Sequence, residues 1–126
     1  MKKHTFIVER TRTGYSAYCA SLSAATTGRN FPELKQNMLD AANSMLEHRG
    51  EAEITEKSLT AKLDLQQFFD FYKVINARGL AERIKMNETL LNQYIKGKKA
   101  PSPKQVQRIL HGVRDLGKEL TQLEIA

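Results

Sequence analysis

Hydrophobic and polar residues alternate in two runs near the start of the chain, at residues 4–10 and 15–20. Both runs are rich in β-branched and aromatic side chains, which favour strands. The residues between them, Thr11-Arg12-Thr13-Gly14, end in a glycine that tolerates the positive φ of a tight turn. The pattern predicts a β-hairpin, followed by another short extended segment at about residues 24–29.

A helical repeat of apolar residues follows, from Phe31 to about Arg49. Asn30 is predicted to be the N-cap, Pro32 lies in the first turn where its missing N–H costs nothing, and Gly50 fits a left-handed C-terminal cap. Apolar residues after this helix predict one or two more strands: Ile54, Leu59, Leu63 and Leu65. The first part of the chain therefore has the outline β-β-β-α-β.

The spacing of apolar residues becomes helical again from Gln66 onward. An apolar helix is predicted to end near Asn76, and short helices at about residues 77–85 and 88–96 follow it. A loop then leads to a last helix that begins near Ser102. We expect an α+β protein with two closely coupled domains: residues 1–64, a small sheet plus a helix, and residues 65–126, an all-α module.

The composition is that of an ordinary globular protein, with 40% hydrophobic and 27% charged residues and no low-complexity tract. The apolar runs are far shorter than the roughly 20 residues that a membrane helix needs. The start of the chain leads into a strand-like pattern rather than an apolar signal core, so we expect a cytoplasmic protein. The single cysteine, Cys19, excludes an internal disulfide and a cysteine-cluster zinc site.

The positive charge of the chain is concentrated in its second half. Residues 1–64 carry nine Lys or Arg and eight Asp or Glu, whereas residues 65–126 carry eleven and six, which together give the net charge of +6. A near-neutral half joined to a basic half suggests that one end meets phosphate groups and the other a different partner. The plainer interpretation is a well-solvated basic surface.

Residues 80–99 have the spacing of a helix-turn-helix motif, in which two helices are joined by a short turn. Ala81 is small where the second helix must cross close to the first. Apolar residues occur where the two helices must share a core: Leu80, Ile84, Met86, Leu91 and Tyr94. Asn87 is a good N-cap for the second helix, which enters the major groove in motifs of this kind.

The second helix of this motif carries short polar side chains on its early face, and lysines follow it. Four residues are expected to read base edges: Glu88, Thr89, Asn92 and Gln93. Four are expected to contact DNA phosphates: Asn87, Lys96, Lys98 and Lys99. Glu88 needs a particular base, because a carboxylate repels phosphate and contributes only where a cytosine amino group donates to it. The alternative is a simple helical bundle with a solvated polar face.

Residues 66–118 resemble the helix-turn-helix domain of the lambdoid-repressor, or XRE, class, including the Gly-Lys-Lys-Ala-Pro-Ser loop before the last helix. The resemblance implies sequence-specific binding of double-stranded DNA. Ala77 stands where the class usually has a phosphate-clamping glutamine, and Lys85 where the turn usually has glycine. A left-handed residue other than glycine costs roughly 1 kcal/mol, which a packed module can absorb. Leu90 either touches a thymine methyl group or packs on a partner subunit.

The first part of the chain resembles the HicB family of antitoxins. The matching segments are the strand at residues 5–10, Gly14-Tyr15-Ser16-Ala17-Tyr18 with Leu22 after it, Thr26-Thr27-Gly28 and the helix from Phe31. The resemblance implies a truncated RNase-H-like fold that occupies a HicA-type, mRNA-cleaving toxin, often followed by a DNA-binding module. The family's usual Pro-Asp-Leu-Pro-Gly segment reads Ala-Ser-Leu-Ser-Ala here, at residues 20–24.

RNase-H-like catalysis would need several carboxylates that converge on two divalent metal ions. The candidates are few, and a solvated surface is the simpler interpretation of each: Glu9, Asp40 and Glu47. The histidines are scattered, without the spacing of a helical metal site: His4, His48 and His111. We therefore expect no enzyme activity, metal or cofactor. Three aromatic residues of the hairpin form either a stacking platform for RNA or ordinary sheet packing: Phe6, Tyr15 and Tyr18.

These patterns together predict an antitoxin whose residues 1–64 bind a HicA-type toxin and whose residues 65–126 repress its own operon. A DNA-reading module this small generally needs two half-sites, so we expect a homodimer or a higher even oligomer. Candidate contacts between subunits are apolar: Leu90, Ile95, Leu120, Leu123 and Ile125. The alternative is a helix-turn-helix transcriptional regulator whose first domain senses a small ligand and has no toxin partner.

Overall fold

The computed structural model describes residues 2–125. It confirms the predicted α+β class, because a four-stranded mixed sheet with a helix is followed by four helices. The elements are β1 (His4–Thr11), β2 (Gly14–Cys19), β3 (Ala24–Gly28), α1 (Phe31–His48), β4 (Leu59–Leu63), α2 (Leu65–Phe71), α3 (Ala77–Ile84), α4 (Glu88–Ile95) and α5 (Pro103–Thr121). The chain forms two compact units, Met1–Phe71 and Tyr72–Ala126.

The sheet of the first unit has the strand order β3-β2-β1-β4. The predicted hairpin is present, with β1 antiparallel to β2 and β2 antiparallel to β3. β4 pairs with β1 in parallel. A parallel neighbour needs a crossover connection, and here α1 and the segment after it carry the chain from the β3 edge to the β4 edge.

The core of the first unit lies between α1 and one face of the sheet. Alternate strand residues point into this core and meet helix residues at three- and four-residue spacing. The buried residues are Phe6, Val8, Ala17, Cys19, Leu22, Ala24, Leu34, Met38, Ala42 and Leu46. The predicted ends of α1 are confirmed: Asn30 Oδ1 accepts a hydrogen bond from the Glu33 N–H over 2.9 Å, and Gly50 has a φ of +71°.

The first helix after the sheet is shorter than predicted. The expectation that it extends to near Asn76 is wrong, because α2 ends at Phe71 and Asn76 instead caps α3, accepting a hydrogen bond from the Gly79 N–H over 2.9 Å. Beyond Phe71 the repeat has no fully buried member: Tyr72 and Ile75 are half-buried, and Val74 between them is 90% exposed. Helical spacing with so little burial does not sustain a helix.

α2 belongs to the first unit, so the division between units falls after Phe71, whereas the sequence placed it after residue 64. The physical reason is a pair of hydrogen bonds with β1. The Arg10 N–H donates to Gln67 Oε1, and Gln67 Nε2 donates to the Arg10 carbonyl oxygen, each over 2.8 Å. The Gln67 amide therefore pairs with the backbone of β1 just beyond the end of β4, as a further strand residue would.

The second unit contains α3, α4 and α5. Its buried residues come from all three helices and the turn between the first two: Leu80, Ala81, Met86, Leu91, Tyr94 and Ile109. Gly112 of α5 lies against α3, and a Cβ atom at this position would overlap Ile84 Cγ2. The close crossing of α5 and α3 therefore depends on glycine.

Candidate nucleic-acid interface

The turn between α3 and α4 lies where the sequence predicts it, at residues 85–87. α3 ends at Ile84, and Lys85 then adopts the left-handed conformation with φ of 56° and ψ of 44°. The Met86 N–H donates to the Ala81 carbonyl oxygen over 2.9 Å, which closes the end of α3. Lys85 thus takes the backbone conformation for which glycine is usual, although it carries a side chain.

Asn87 caps α4, as predicted. Its Oδ1 accepts a hydrogen bond from the Leu90 N–H over 3.0 Å. An asparagine side chain has a separate amide nitrogen with two donors, so this cap leaves Nδ2 able to donate to a phosphate oxygen. The predicted roles of Asn87 as helix cap and phosphate contact are therefore compatible.

The four predicted base-reading residues lie together at the start of α4. Their spacing places them on one side of the helix over two successive turns. We call Glu88, Thr89, Asn92 and Gln93 the base-reading face. Glu88 and Thr89 are exposed and Asn92 and Gln93 are half-buried, whereas Leu91 and Tyr94 are buried in the core of the unit.

The lysine loop follows α4 through a specific helix-ending motif. Gly97 has a φ of +75°, and the Gly97 N–H donates to the Tyr94 carbonyl oxygen over 3.2 Å. The Lys98 N–H donates to the Gln93 carbonyl oxygen over 2.9 Å. This pair of bonds is a Schellman motif. It fixes the loop backbone beside the base-reading face and leaves Lys96, Lys98 and Lys99 exposed to solvent.

The net charge lies in the second unit. Residues 1–71 have nine basic and nine acidic side chains, whereas residues 72–126 have eleven basic and five acidic side chains. The whole net charge of +6 is therefore in the unit that contains the helix-turn-helix. A positive unit attracts the phosphates of nucleic acid over a distance of about a Debye length.

Arg108 is a structural residue of the motif that sequence reasoning missed. Its Nη2 donates to the Ile84 carbonyl oxygen over 2.8 Å and to the Lys85 carbonyl oxygen over 2.7 Å. Carbonyl groups at the end of a helix lack partners within the helix, and a cation there is also favoured by the helix dipole. No local pattern marks Arg108, because its partners lie 24 and 23 residues earlier in the chain.

Arg83 and Glu119 form a two-pronged ion pair that joins α3 to the end of α5. Arg83 Nη1 donates to Glu119 Oε2 over 2.6 Å, and Nη2 donates to Oε1 over 2.8 Å. These hydrogen bonds, more than the charge of Arg83 itself, lower the pKa of Glu119 below its ordinary value. The same bonds to Glu119 raise the pKa of Arg83.

The candidate catalytic carboxylates do not converge. Glu9 lies on the face of the sheet opposite the core, whereas Asp40 and Glu47 border a shallow depression on the outer side of α1. α1 packs on the core face, so the sheet separates Glu9 from the other two. Within residues 2–125, no three His, Cys, Asp or Glu side chains are grouped to hold a metal ion.

His4 and Cys19 are brought together by the fold, although they are distant in sequence. His4 Nδ1 lies 2.9 Å from Ser21 Oγ, and Cys19 Sγ lies 3.3 Å from the same oxygen. Both side chains are buried. Hydrogen bonding to Ser21 satisfies a buried imidazole beside the core, which is the usual state of such a group.

The three aromatic residues of the hairpin do not form one stacking platform. Phe6 is fully buried in the core. Tyr15 stacks against the Arg10 guanidinium, which lies 4.6 Å from its ring centre. Tyr18 points away from the core and is 51% exposed.

The exposed face of the sheet contains two large side chains directly opposite each other. Ile7 pairs with Tyr18 across β1 and β2, and both are partly exposed to solvent. They border an open depression of about 600 Å³ together with Glu9, Ser16 and Thr27. We call these five residues the outer sheet face, in which Ile7 and Tyr18 are the large exposed apolar and aromatic side chains.

The candidate contacts between subunits are unevenly exposed. Leu90 and Ile95 are half-buried, whereas three residues near the end of the chain are more than half exposed: Leu120, Leu123 and Ile125. The last two follow the end of α5. In the described part of the chain, no helix is both long enough and apolar enough to cross a membrane.

Comparisons with known protein families, with characterised proteins and with solved structures gave no match to this chain.

Proposed function

We propose that this protein is a cytoplasmic antitoxin that binds a HicA-type, mRNA-cleaving toxin and represses its own operon through its helix-turn-helix. The observation that carries the proposal is the α3–α4 pair. Lys85 supplies the left-handed turn and Asn87 caps the second helix, which places the base-reading face on its first two turns. A helix that begins with short polar side chains is suited to the edges of bases in a major groove.

The lysine loop supports the same proposal. Its backbone is fixed by hydrogen bonds to the Gln93 carbonyl oxygen, so the exposed Lys98 and Lys99 begin from a backbone that is joined to the base-reading face. Contacts with phosphate position a protein on the duplex, whereas contacts with base edges select the sequence. The second unit supplies both kinds of group within one short segment.

The proposed repressor acts as a homodimer or a higher even oligomer. One base-reading face covers only a few base pairs, and two of them about one helical turn apart, roughly 34 Å, read a symmetric operator. The exposed apolar residues at the end of the chain, Leu120 and Leu123, are available for such an association.

The toxin-binding part of the proposal concerns the first unit. It is supported by the resemblance to HicB antitoxins and by the outer sheet face, where Ile7 and Tyr18 expose apolar and aromatic surface. Tyrosine is enriched where proteins bury a surface against a partner. Binding would block the toxin stoichiometrically, because the proposed function involves no catalysis by this chain.

Expression in cells tests the two activities separately. The small open reading frame beside this gene is expressed alone and then together with the full chain, and growth is followed. Arrest by the neighbour and rescue by co-expression are expected. Binding of the purified full chain to the operon's promoter DNA, but not to shuffled DNA of the same composition, is expected in a gel-shift assay.

The outcomes distinguish the proposed function from its alternatives. Promoter binding without any arrest by an expressed neighbour would leave a DNA-binding regulator and would favour the ligand-sensing class. Arrest and rescue without promoter binding would leave an antitoxin whose α3–α4 pair is a plain helical bundle. Failure of both assays would overturn the proposal.

A further inference from the structure

Arg78 links the start of α3 to the start of α4. Its Nε lies 3.8 Å from Glu82 Oε1, one turn further along α3, and 3.9 Å from Glu88 Oε2, across the turn. The Arg78 and Glu88 side chains are 74% and 50% exposed. Arg78 is the cation that the structure records beside the acidic member of the base-reading face.

Glu88 creates an electrostatic difficulty for a protein that binds DNA. A carboxylate in the major groove lies between two phosphate backbones, which repel it. The positive end of the α4 dipole relieves this repulsion only in part, because the equivalent charge at a helix N-terminus is about one half. A full positive charge held near the carboxylate offsets the repulsion more completely.

A glutamate in the groove also has one specific use. Among the base edges in the major groove, the cytosine N4 amino group is a donor that a carboxylate can accept. The carboxylate must point at the base, but an exposed glutamate has several rotatable bonds and adopts several conformations in solvent. An arginine restrains such a carboxylate with part of its planar guanidinium. Because the guanidinium has five N–H donors, the others can still donate to further groups.

We propose that Arg78 is a positioning residue for base recognition, which holds the Glu88 carboxylate where it accepts a hydrogen bond from cytosine. The inference rests on the proposed DNA-binding function. It adds a residue outside α4 to the specificity of the site and predicts cytosine at the base that Glu88 meets. Exposed ion pairs contribute little to stability, so the effect of Arg78 falls on recognition and not on folding.

The experiment uses the full-length chain and DNA sequences selected from a randomised duplex. The parent protein must first select a defined sequence, because failure at this stage overturns the proposed function itself. Arg78→Ala, Glu88→Gln, Arg78→Ala with Glu88→Gln, and the control Glu82→Gln are then compared on the selected site and on its three single-base variants at each position.

The expected result is a coupled loss of one base preference. Glu88→Gln shifts the preference at one position away from cytosine, a preference of roughly tenfold or more for a good base contact, and towards adenine, whose edge suits an amide that both donates and accepts. Arg78→Ala reduces the same preference to about threefold or less and changes no other position. The double variant behaves like Glu88→Gln alone, whereas Glu82→Gln keeps the parent preference.

Three results would overturn the inference. If Arg78→Ala keeps the cytosine preference of the parent, Glu88 needs no positioning by Arg78. Equal weakening on every sequence, with the salt dependence of log K reduced by about one, would make Arg78 a phosphate contact. If Glu88→Gln keeps the base preference of the parent, Glu88 makes no contact with a base. Thermal melts of each variant check the fold, and Arg78→Lys, which keeps the charge, should restore part of the preference.

Discussion

Arg108 Nη2 donates a hydrogen bond to the carbonyl oxygen of Lys85 over 2.7 Å, and so binds the one left-handed residue of the helix-turn-helix turn to α5. The left-handed conformation costs a residue with a Cβ atom about 1 kcal/mol. A charge-assisted hydrogen bond contributes a stabilisation of similar size. Arg108 thus offsets the cost of a lysine at the position where glycine would be unstrained.

Replacing Arg108 with alanine is expected to lower the free energy of unfolding by about 1 kcal/mol, because the carbonyl groups of Ile84 and Lys85 lose a charged donor but remain accessible to water. Urea denaturation followed by circular dichroism measures the change. Lys104→Ala is the matched control, since it removes a cation from the exposed side of the same helix. Equal stability of the two variants would contradict the stabilising role of Arg108.

Features of the fold that depend on neighbouring residues could be predicted from the sequence. Asn30 and Asn87 cap helices by hydrogen bonds to N–H groups three residues later, so a short window of sequence contains the whole interaction. The left-handed conformation of Gly50 could likewise be predicted from the residues next to it. The alternating pattern at residues 4–10 also predicts a strand from local residues alone, and β1 occupies His4–Thr11.

Features that depend on distant partners could not be predicted. The bonds between Arg10 and Gln67 join residues 57 positions apart, and they decide that α2 belongs with the sheet. The sequence reports the helical spacing of the aromatic residues around Phe69 but not which unit buries them. The pairing of Arg78 with Glu88 depends on how α3 and α4 meet across their turn, which the pattern within either helix does not show.

Gly112→Ala is expected to destabilise the second unit by about 1–2 kcal/mol, because the new methyl group would overlap Ile84 Cγ2 and force α5 away from α3. Gly117→Ala is the control on the same helix, where nothing lies within 4 Å of an added Cβ. The control should gain about 0.5–1 kcal/mol from better helix propensity. Thermal unfolding of both variants gives the comparison, and a gain in stability for Gly112→Ala would contradict the close crossing.

The stability of the chain is expected to depend on pH through Glu119. Its pKa is lowered by hydrogen bonds from Arg83, so its contribution is fully present above the ordinary value of 4.5 and is lost as the pH falls through the lower value of the folded state. The raised pKa of Arg83 has no effect in this range, because arginine stays charged throughout it. The melting temperature of the parent should therefore approach that of Glu119→Gln as the solution becomes acidic.

Calorimetry of the parent, Glu119→Gln and Glu124→Gln between neutral and acidic pH measures this effect. Glu124 lies near Glu119 in sequence and carries the same charge, so it controls for the loss of one acidic group from the end of the chain. A gap between the parent and Glu119→Gln that stays constant over the whole range would show that the ion pair with Arg83 does not stabilise the folded state. High salt should shrink the gap at neutral pH, since both side chains are exposed.

One variant in α4 should change base selection, and another in the lysine loop should change phosphate binding, each without the other effect. Gln93→Ala is expected to change the preferred operator, losing about 1–3 kcal/mol of discrimination at one base. Lys98→Ala combined with Lys99→Ala should weaken all DNA sequences alike and reduce the slope of log K against log salt by about 2. The backbone bonds from this loop to the Gln93 carbonyl oxygen do not involve the lysine side chains, so the loop should keep its shape.

The control for the double variant is Lys35→Ala combined with Lys57→Ala, which removes the same charge from exposed positions of the first unit. Fluorescence anisotropy with the selected operator and with unrelated DNA, at several salt concentrations, measures all three proteins. Near-parental affinity and salt slope are expected for the control, because the proposed phosphate contacts all belong to the second unit. If both double variants lose affinity equally, the effect is one of net charge, and α4 is not the helix that meets DNA.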